Sequence, residues 1–340
     1  MSGKSALLVL LAVTLLISHT AGASSGEVVV AITHPSLKSV VTAIGGARVR
    51  VIVLVPPGVD AHHYEPPTSE LLALLRDADV VVMTGPSHLP VEHRVEELHK
   101  TGLYRWILID YEEYVDEGLE LLVNPATGRE NPHEYVLSIT GLRIVATSVY
   151  RALSSLDPGG AGYYESRLRS YLEHLEKLEK VVKTTARSPG VARVGLFTPI
   201  LQYAASDTGL LVTYVVLAEH EAPLEARDVA KAAENYGKQY DVLVVSDEEL
   251  AKYRQAVEEL LRRGVKVVVV PLSTLAYETP ELVPLVIATG LGTLQIPVVG
   301  AAGGPIDLSG YVAISLPLLA VILALVLYIL RLRSLGKAAK

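Results

Sequence analysis

Cysteine is absent from the 340 residues of this chain. Its absence excludes disulfides, thiolate metal ligands, cysteine nucleophiles and a lipid-modified cysteine as a membrane anchor. Clustered positive charge is also missing, because 30 Lys and Arg face 37 Asp and Glu and the formal net charge is −7. Phosphate binding needs clustered cations, so this balance argues against a nucleic-acid partner. A metal site in this chain has to use histidine, carboxylate, hydroxyl or backbone donors.

Both ends of the chain carry long apolar runs with few charges. Residues 1–23 combine an early lysine, an apolar run and the small residues Ala21-Gly22-Ala23, which is the layout of a secretory signal peptide. Residues 311–330 contain no charge and are long enough to cross a bilayer as a helix. The basic tail 331–340 predicts a cytoplasmic C-terminus. We therefore expect an exported domain at the cell surface, anchored in the cytoplasmic membrane by a C-terminal transmembrane helix.

Between the ends, strand-like and helical stretches alternate, and the alternation occurs twice. Short runs rich in Val, Ile and Leu are typical of buried parallel strands, and they lie at 28–32, 49–55, 79–83, 106–109, 192–197, 211–217, 241–246 and 265–270. Helical patterns lie between them, including one over 247–262. This alternation predicts an α/β fold with two parallel-sheet lobes.

One long amphipathic helix is predicted between the two lobes. Its leucines recur at helical spacing, and Glu, Lys and Arg fill the other faces. The predicted order is signal peptide, N-terminal lobe, bridging helix, C-terminal lobe, flexible linker, transmembrane anchor and basic cytoplasmic tail, over residues 1–23, 27–160, 161–187, 190–299, 300–310, 311–330 and 331–340.

Histidines follow several of the predicted first-lobe strands. His34 follows the first strand, His62 and His63 follow the second, His88 follows the third, and His133 lies in a later loop. The carboxyl ends of parallel strands meet at one edge of a sheet, where a ligand is expected. Neutral imidazoles at that edge would bind a first-row divalent metal. A single loop histidine is more often a surface residue or a helix cap, and that interpretation stays open for each of them.

Two motifs around these histidines resemble a known family. Residues 55–66 read V-P-P-G-V-D-A-H-H-Y-E-P, similar to the V-P-P-G-x-D-P-H-x-Y-E-P of the TroA-like substrate-binding proteins of zinc and manganese ABC transporters, with Ala61 replacing the proline. Residues 131–135 read N-P-H-E-Y, similar to the family's N-P-H-x-W. The resemblance implies a divalent metal ion, zinc or manganese, in the interlobe cleft, with His62 and His133 as ligands. It also implies an ABC permease and its ATPase as partners.

The second lobe departs from the family pattern at two positions. Thr198 stands where the family places a histidine or glutamate ligand, and Ser273 stands where it places a carboxylate. Zinc takes four good donors, or three and a water, so two histidines alone would bind weakly. Either a first-lobe histidine completes the site, or a second-lobe acid does, or the site is degenerate; the candidates are His34, His63 and His88 in the first lobe and Glu219, Glu221 and Asp247 in the second.

No nucleotide-binding or hydrolase motif, such as G-x-x-x-x-G-K-[ST], H-E-x-x-H or G-x-S-x-G, occurs in the chain. We therefore expect a binding protein rather than an enzyme, and we also expect it to be a monomer. It would capture a divalent metal ion outside the cell, zinc in preference to manganese, and deliver it to the permease. The alternative is a degenerate member of the same fold that acts as a membrane-anchored surface interaction protein or binds a non-metal ligand.

Overall fold

The computed structural model describes residues 27–293, apart from 57, 60, 86–88, 188–189 and 220–221. The predicted signal peptide, His88, the linker 300–310, the apolar segment 311–330 and the basic tail lie outside the described residues, so the predictions made for them stay predictions. Within the part of the chain that is described, none of the helices has the length and apolar character needed to cross a membrane.

The first lobe is built on four parallel strands in the order β2-β1-β3-β4. These strands are β1 (Val28–Ile32), β2 (Val49–Val53), β3 (Val80–Val82) and β4 (Ile107–Ile109). Every residue of β1 and β3 is buried, as expected for parallel strands covered on both faces. The helices of this half are α1 (Lys38–Gly45), α2 (Thr68–Leu75), α3 (Pro90–Lys100), α4 (Tyr111–Asp116) and α5 (Ile139–Leu156).

The second lobe repeats this topology after the long helix α6 (Ala161–Thr185). Its four parallel strands have the order β6-β5-β7-β8, and they are β5 (Arg193–Leu196), β6 (Leu211–Val215), β7 (Val242–Ser246) and β8 (Val267–Val270). Its helices are α7 (Gln202–Ser206), α8 (Ala226–Asn235), α9 (Asp247–Lys252), α10 (Arg254–Arg262), α11 (Leu272–Glu278) and α12 (Val283–Thr293). The prediction of two parallel-sheet α/β lobes is therefore confirmed.

The prediction of one helix over 247–262 is wrong, because the helix breaks at Tyr253. Tyr253 has φ −117° and ψ 31°, which separates α9 from α10. Its ring stacks on Phe197 with 5.2 Å between centroids. The aromatic contact inside the lobe thus accompanies a backbone conformation that a continuous helix does not allow.

Helix α6 contacts both halves of the chain. It packs against α1 and α5 of the first lobe and against α12 of the second. Its buried residues Leu175, Leu178 and Val182 recur at helical spacing, so one stripe of the helix faces the core. In addition, α11 of the second lobe packs on α1 and on the 3-10 turn Pro35–Leu37 of the first. These contacts fix the two lobes beside each other.

Candidate metal site

His34 directly follows β1 and caps the 3-10 turn Pro35–Leu37. The backbone N–H of Ser36 donates to His34 Nδ1 at 3.3 Å, and Ser36 Oγ lies 2.8 Å from the same nitrogen. An Nδ1 that accepts a backbone hydrogen bond leaves the proton of the neutral ring on Nε2. Burial, with a smaller effect of the His62 charge, lowers the pKa of His34 to about 4. His34 is therefore a neutral ring that offers an N–H rather than a lone pair.

His133 is held in the opposite tautomer by Asn131. Asn131 Oδ1 accepts from the His133 backbone N–H at 3.0 Å and lies 2.9 Å from His133 Nδ1. An amide oxygen only accepts hydrogen bonds, so Nδ1 carries the proton and Nε2 keeps its lone pair. A metal-binding histidine commonly has its other nitrogen held by an outer partner in this way.

Charges around His133 come from both lobes. Burial lowers the pKa of His133, Glu219 of the second lobe raises it, and His62 lowers it. The charge of His62 thus acts on both His34 and His133. His63, next to His62, is exposed whereas His62 is half-buried. Within the described residues, no three His, Asp or Glu side chains come close enough together to hold a metal ion.

Thr198 and Ser273, the two second-lobe hydroxyl residues, are both hydrogen-bonded to carboxylates of α9. The buried Thr198 donates through Oγ1 to Glu249 Oε1 at 2.5 Å. Ser273 donates to Asp247 twice, from its backbone N–H to Oδ1 at 3.1 Å and from Oγ to Oδ2. Each hydroxyl is thus bonded within its own lobe, and Asp247 is held by Ser273.

Sequence reasoning missed a buried glutamate in each lobe. Glu92 of α3 accepts through Oε1 from Thr33 Oγ1 at 2.6 Å, from Thr84 N–H at 2.6 Å and from Thr84 Oγ1 at 2.8 Å. Glu249 of α9 plays the corresponding part in the second lobe. It accepts from Thr198 and, through Oε2, from the Ser246 N–H at 2.7 Å.

These two glutamates occupy equivalent places in the repeated topology. Each links the segment after the central strand of its sheet to the end of the neighbouring third strand. Burial raises the pKa of Glu92 and of Glu249 to about 7. For Glu249 a local signal was available, because Ser246-Asp247-Glu248-Glu249 matches the capping-box pattern. No comparable sequence signal marks Glu92.

Hydrogen bonds join the first-lobe segment 122–131 directly to the second lobe, and we call this contact the interlobe seam. Asn131 Nδ2 donates to Pro199 O at 3.0 Å and to Gln202 Oε1 at 2.9 Å. The other bonds of the seam are Tyr203 OH to Asn131 O, Leu122 N–H to Tyr203 OH, Gln202 Nε2 to Val123 O, and Asn124 Nδ2 to Ala218 O. The same asparagine that fixes the tautomer of His133 is therefore fixed by the second lobe.

Comparison with known proteins identifies the family. The model of the family described as ZnuA, zinc-uptake complex component A, periplasmic, matches residues 29–283. The chain belongs to the ZnuA family. This confirms the resemblance to substrate-binding proteins of metal ABC transporters that the histidine motifs indicated.

Curated relatives of this ZnuA-family chain carry names of metal-transport proteins. The manganese ABC transporter substrate-binding lipoprotein PsaA of Streptococcus mitis is 27% identical over 171 residues, covering 47% of this chain and 52% of PsaA. The iron ABC transporter substrate-binding lipoprotein MtsA of Streptococcus pyogenes serotype M1 is 26% identical over 173 residues, covering 48% and 53%. The chain thus spans about half the length of the curated relatives it matches. Their names describe binding proteins rather than enzymes.

Solved structures share the fold of this family member. A crystal structure of ZnuA gives a TM-score of 0.62 at 23% identity, covering 78% of this chain and 98% of that one. The binding protein FpvC from Pseudomonas aeruginosa, in complex with Mn²⁺, gives 0.61 at 24% identity, covering 79% and 97%. At these identities the likeness establishes the two-lobed fold.

Proposed function

We propose that this ZnuA-family protein is the extracytoplasmic substrate-binding component of a metal ABC transporter. It captures a divalent metal ion in the interlobe cleft and delivers the ion to a permease that works with a separate ATPase. The observation that carries the proposal is the hydrogen bond between His133 and Asn131, because it leaves His133 Nε2 with a lone pair and orients the ring.

His62 and His133 are the first-lobe ligands in this proposal. They influence each other electrostatically, and both lie in the motifs that resemble the family. His34 differs from them, because its Nδ1 accepts from Ser36 and its proton lies on Nε2. Imidazole donors suit zinc better than manganese, so we propose zinc as the preferred ion.

In this proposal, the chain is anchored to the membrane in a different way from the lipoproteins named above. The chain contains no cysteine, so a lipid cannot be attached through that residue. The uncharged segment 311–330, followed by a basic tail, supports a transmembrane helix in its place. The lobes would then face the outside of the cytoplasmic membrane, where the ion is captured.

The test is calorimetric titration of the metal-stripped full-length protein, first with zinc and then with manganese. Loss of an outer partner of a metal ligand costs about 10- to 100-fold in affinity, so removing a ligand in H62A or H133A should cost at least about 100-fold. His93→Ala is the matched control, because His93 is an exposed histidine of α3 whose Nδ1 lies 3.6 Å from Glu97. Its affinity should equal that of the wild type.

One-to-one zinc binding that is lost in H62A and H133A but kept in H93A would support the proposal. Unchanged affinity in both variants, or no binding of either ion by the wild type, would remove the metal assignment. The fold would then serve the alternative function, as a surface protein that binds a protein partner or a non-metal ligand.

A further inference from the structure

Strand β4 forms one edge of the first sheet, and its outer side is unpaired. Only β3 lies beside it, and no other strand in the described part of the chain pairs with it. Towards β3, the Ile107 N–H donates to Asp79 O, and Ile109 O accepts from the Met83 N–H, each at 2.9 Å. Backbone groups of successive strand residues point to opposite edges, so the N–H and C=O of Leu108 point outward. Leu108 therefore offers a donor and an acceptor to a further strand.

Two cavities flank this edge, one on each face of the sheet. The first, about 330 Å³, lies between β4 and α5 and is lined by Ile107 and Ile109. The second, about 300 Å³, lies between β4 and α3, on the face where Leu108 packs. The helices thus leave room on both faces beside the outward backbone groups. An added strand needs this room, because its side chains alternate between the two faces.

Negative charge prevails around the two cavities. Six carboxylate residues face two cations, a formal balance of −4 with histidine neutral; the carboxylates are Glu96, Asp110, Glu112, Glu113, Asp116 and Glu117, and the cations are Lys100 and Arg151. Both cations already have acidic partners. Lys100 lies 3.0 Å from Glu96, and Arg151 lies 2.8 Å from Glu117. The remaining four carboxylates give the edge its net negative charge.

These four carboxylates lie on α4 or directly before it. Asp110 and Glu113 form the capping box at the start of the helix. Glu112 and Asp116 are exposed, and neither forms an ion pair with a residue that the structure describes. They stand four residues apart, on the same side of the helix, and each lines a different cavity. A cation that approaches either face of the edge therefore meets an exposed carboxylate.

This charge selects among the possible occupants of the edge. A second copy of the chain would bring an equally acidic edge against it, and charged side chains are a common protection against such pairing. An anionic lipid surface would be repelled as well. A basic segment meets opposite charge on both faces. Its Lys or Arg stems can lie along Ile107 and Ala152 in the first cavity while the charged ends reach Asp116.

We propose that the outer edge of β4 docks an extended, basic segment of a partner protein, which joins the first sheet as a fifth strand. The backbone of Leu108 supplies hydrogen bonds to the segment, and the carboxylates on both faces select Lys and Arg side chains. Main-chain bonds give affinity and side-chain pockets give specificity in this mode of recognition. The inference concerns a protein partner and does not depend on metal binding.

The probe for this edge is a fluorescein-labelled peptide, T-V-R-K-R-V-T, mixed with the full-length protein and followed by fluorescence anisotropy. At 0.15 M salt, charges more than about 8 Å apart are largely screened, so long-range attraction contributes little. The comparison peptide has the same sequence with its five central backbone nitrogens methylated, which keeps every charge but removes the N–H groups. We expect it to bind at least about tenfold more weakly, because strand pairing is lost.

The matching changes in the protein are E112K/D116K and L108P. The first reverses the two exposed charges and should weaken binding of the unmethylated peptide at least about tenfold. Its control is E173K/E234K, which makes the same total charge change on exposed residues of α6 and α8 and should bind like the wild type. L108P removes the outward N–H and should also weaken binding, since an edge strand tolerates proline at such a position. Urea midpoints show that each variant is folded.

Three results would overturn the inference. The first is equal affinity for the two peptides, and the second is equal weakening in E112K/D116K and E173K/E234K, since either would mean general charge attraction. The third is no binding of the unmethylated peptide by the wild type. A wild-type dimer in sedimentation velocity that L108P dissociates would assign the edge to a second copy of the chain and would equally overturn it. None of these results bears on the proposed metal function.

Discussion

Burial and hydrogen bonding act in opposite directions on the pKa of the Glu92 carboxyl group. Three donors from Thr33 and Thr84 favour the ionised form, yet removal from water disfavours it more strongly. The result is a pKa of about 7 in the folded protein. The residue holds together the two segments that follow β1 and β3, so its ionisation bears directly on the stability of the first lobe.

At the residue scale, we predict that E92Q changes how stability depends on pH. The folded-state pKa of Glu92, about 7, lies above the ordinary value of 4.5. The stability that the protonated carboxyl group contributes is therefore complete below about pH 4.5 and is lost as the pH rises through 7. The difference between these two pKa values corresponds to about 3 kcal/mol in the free energy of unfolding. Glutamine keeps the Oε1 acceptor but does not ionise. E92Q should therefore gain stability relative to the wild type between pH 5 and pH 7.5 in urea unfolding.

The exposed Glu173→Gln in α6 is the control, and its unfolding free energy should follow the wild-type pH profile. Glu249 is less suitable for this test, because both of its oxygens accept hydrogen bonds and the glutamine amide would face the Ser246 N–H. Parallel pH profiles for E92Q and the wild type would contradict the prediction.

At the element scale, the start of α6 is tied to the first lobe through Asp157. Arg48, which lies just before β2, donates to Asp157 Oδ2 at 2.6 Å, and Tyr164 OH donates to the same oxygen at 3.0 Å. The Gly160 N–H donates to Asp157 Oδ1 at 3.1 Å, as in a helix cap. The hydrogen-bonded Arg48 guanidinium holds the pKa of Asp157 below its ordinary value.

We predict that D157A lowers the free energy of unfolding by about 2 kcal/mol, because it removes a cap and leaves a charged donor without its acceptor. D157N should lose less, since it keeps the oxygen that accepts from Gly160. Urea midpoints at constant m-value measure both effects. The control is R50A in the exposed Arg50–Glu27 pair, which should change stability by less than about 0.5 kcal/mol. A loss in D157A no larger than that in R50A would show that the tie is not stabilising.

The elements themselves were largely predictable because their signals are local. Each predicted strand contains an observed one, since continuous apolar runs mark strands that are buried on both faces. Strand ends were less accurate: the predicted 49–55, for example, contains β2 at Val49–Val53. The break at Tyr253 was missed because its contact with Phe197 joins residues far apart in sequence.

For the candidate site, the sequence could suggest residues only within continuous motifs, and their role as metal ligands stays a prediction. His62 and His133 could be named because each stands inside a recognisable stretch. The hydrogen bond that orients the His133 ring could not be predicted in the same way. Its partner Asn131 is itself fixed by Gln202, 71 residues away. Likewise, the bond from Thr198 to Glu249 spans 51 residues, so no local pattern shows that this hydroxyl is committed.

At the scale of the whole molecule, the interlobe seam and α6 predict that both lobes unfold together. Trp106 is the single tryptophan and is buried in the first lobe, with 4% of its surface exposed, so its fluorescence follows that lobe alone.

Leu260 lies fully buried in the second-lobe core, and L260A should cost about 2–5 kcal/mol. If the lobes are coupled, L260A shifts the Trp106 fluorescence midpoint in urea as far as the far-UV circular dichroism midpoint. V95A, in the first-lobe core, is the reciprocal change and should also shift both signals together. A Trp106 transition that stayed in place in L260A while the dichroism signal split would mean that the seam joins two independently folding lobes.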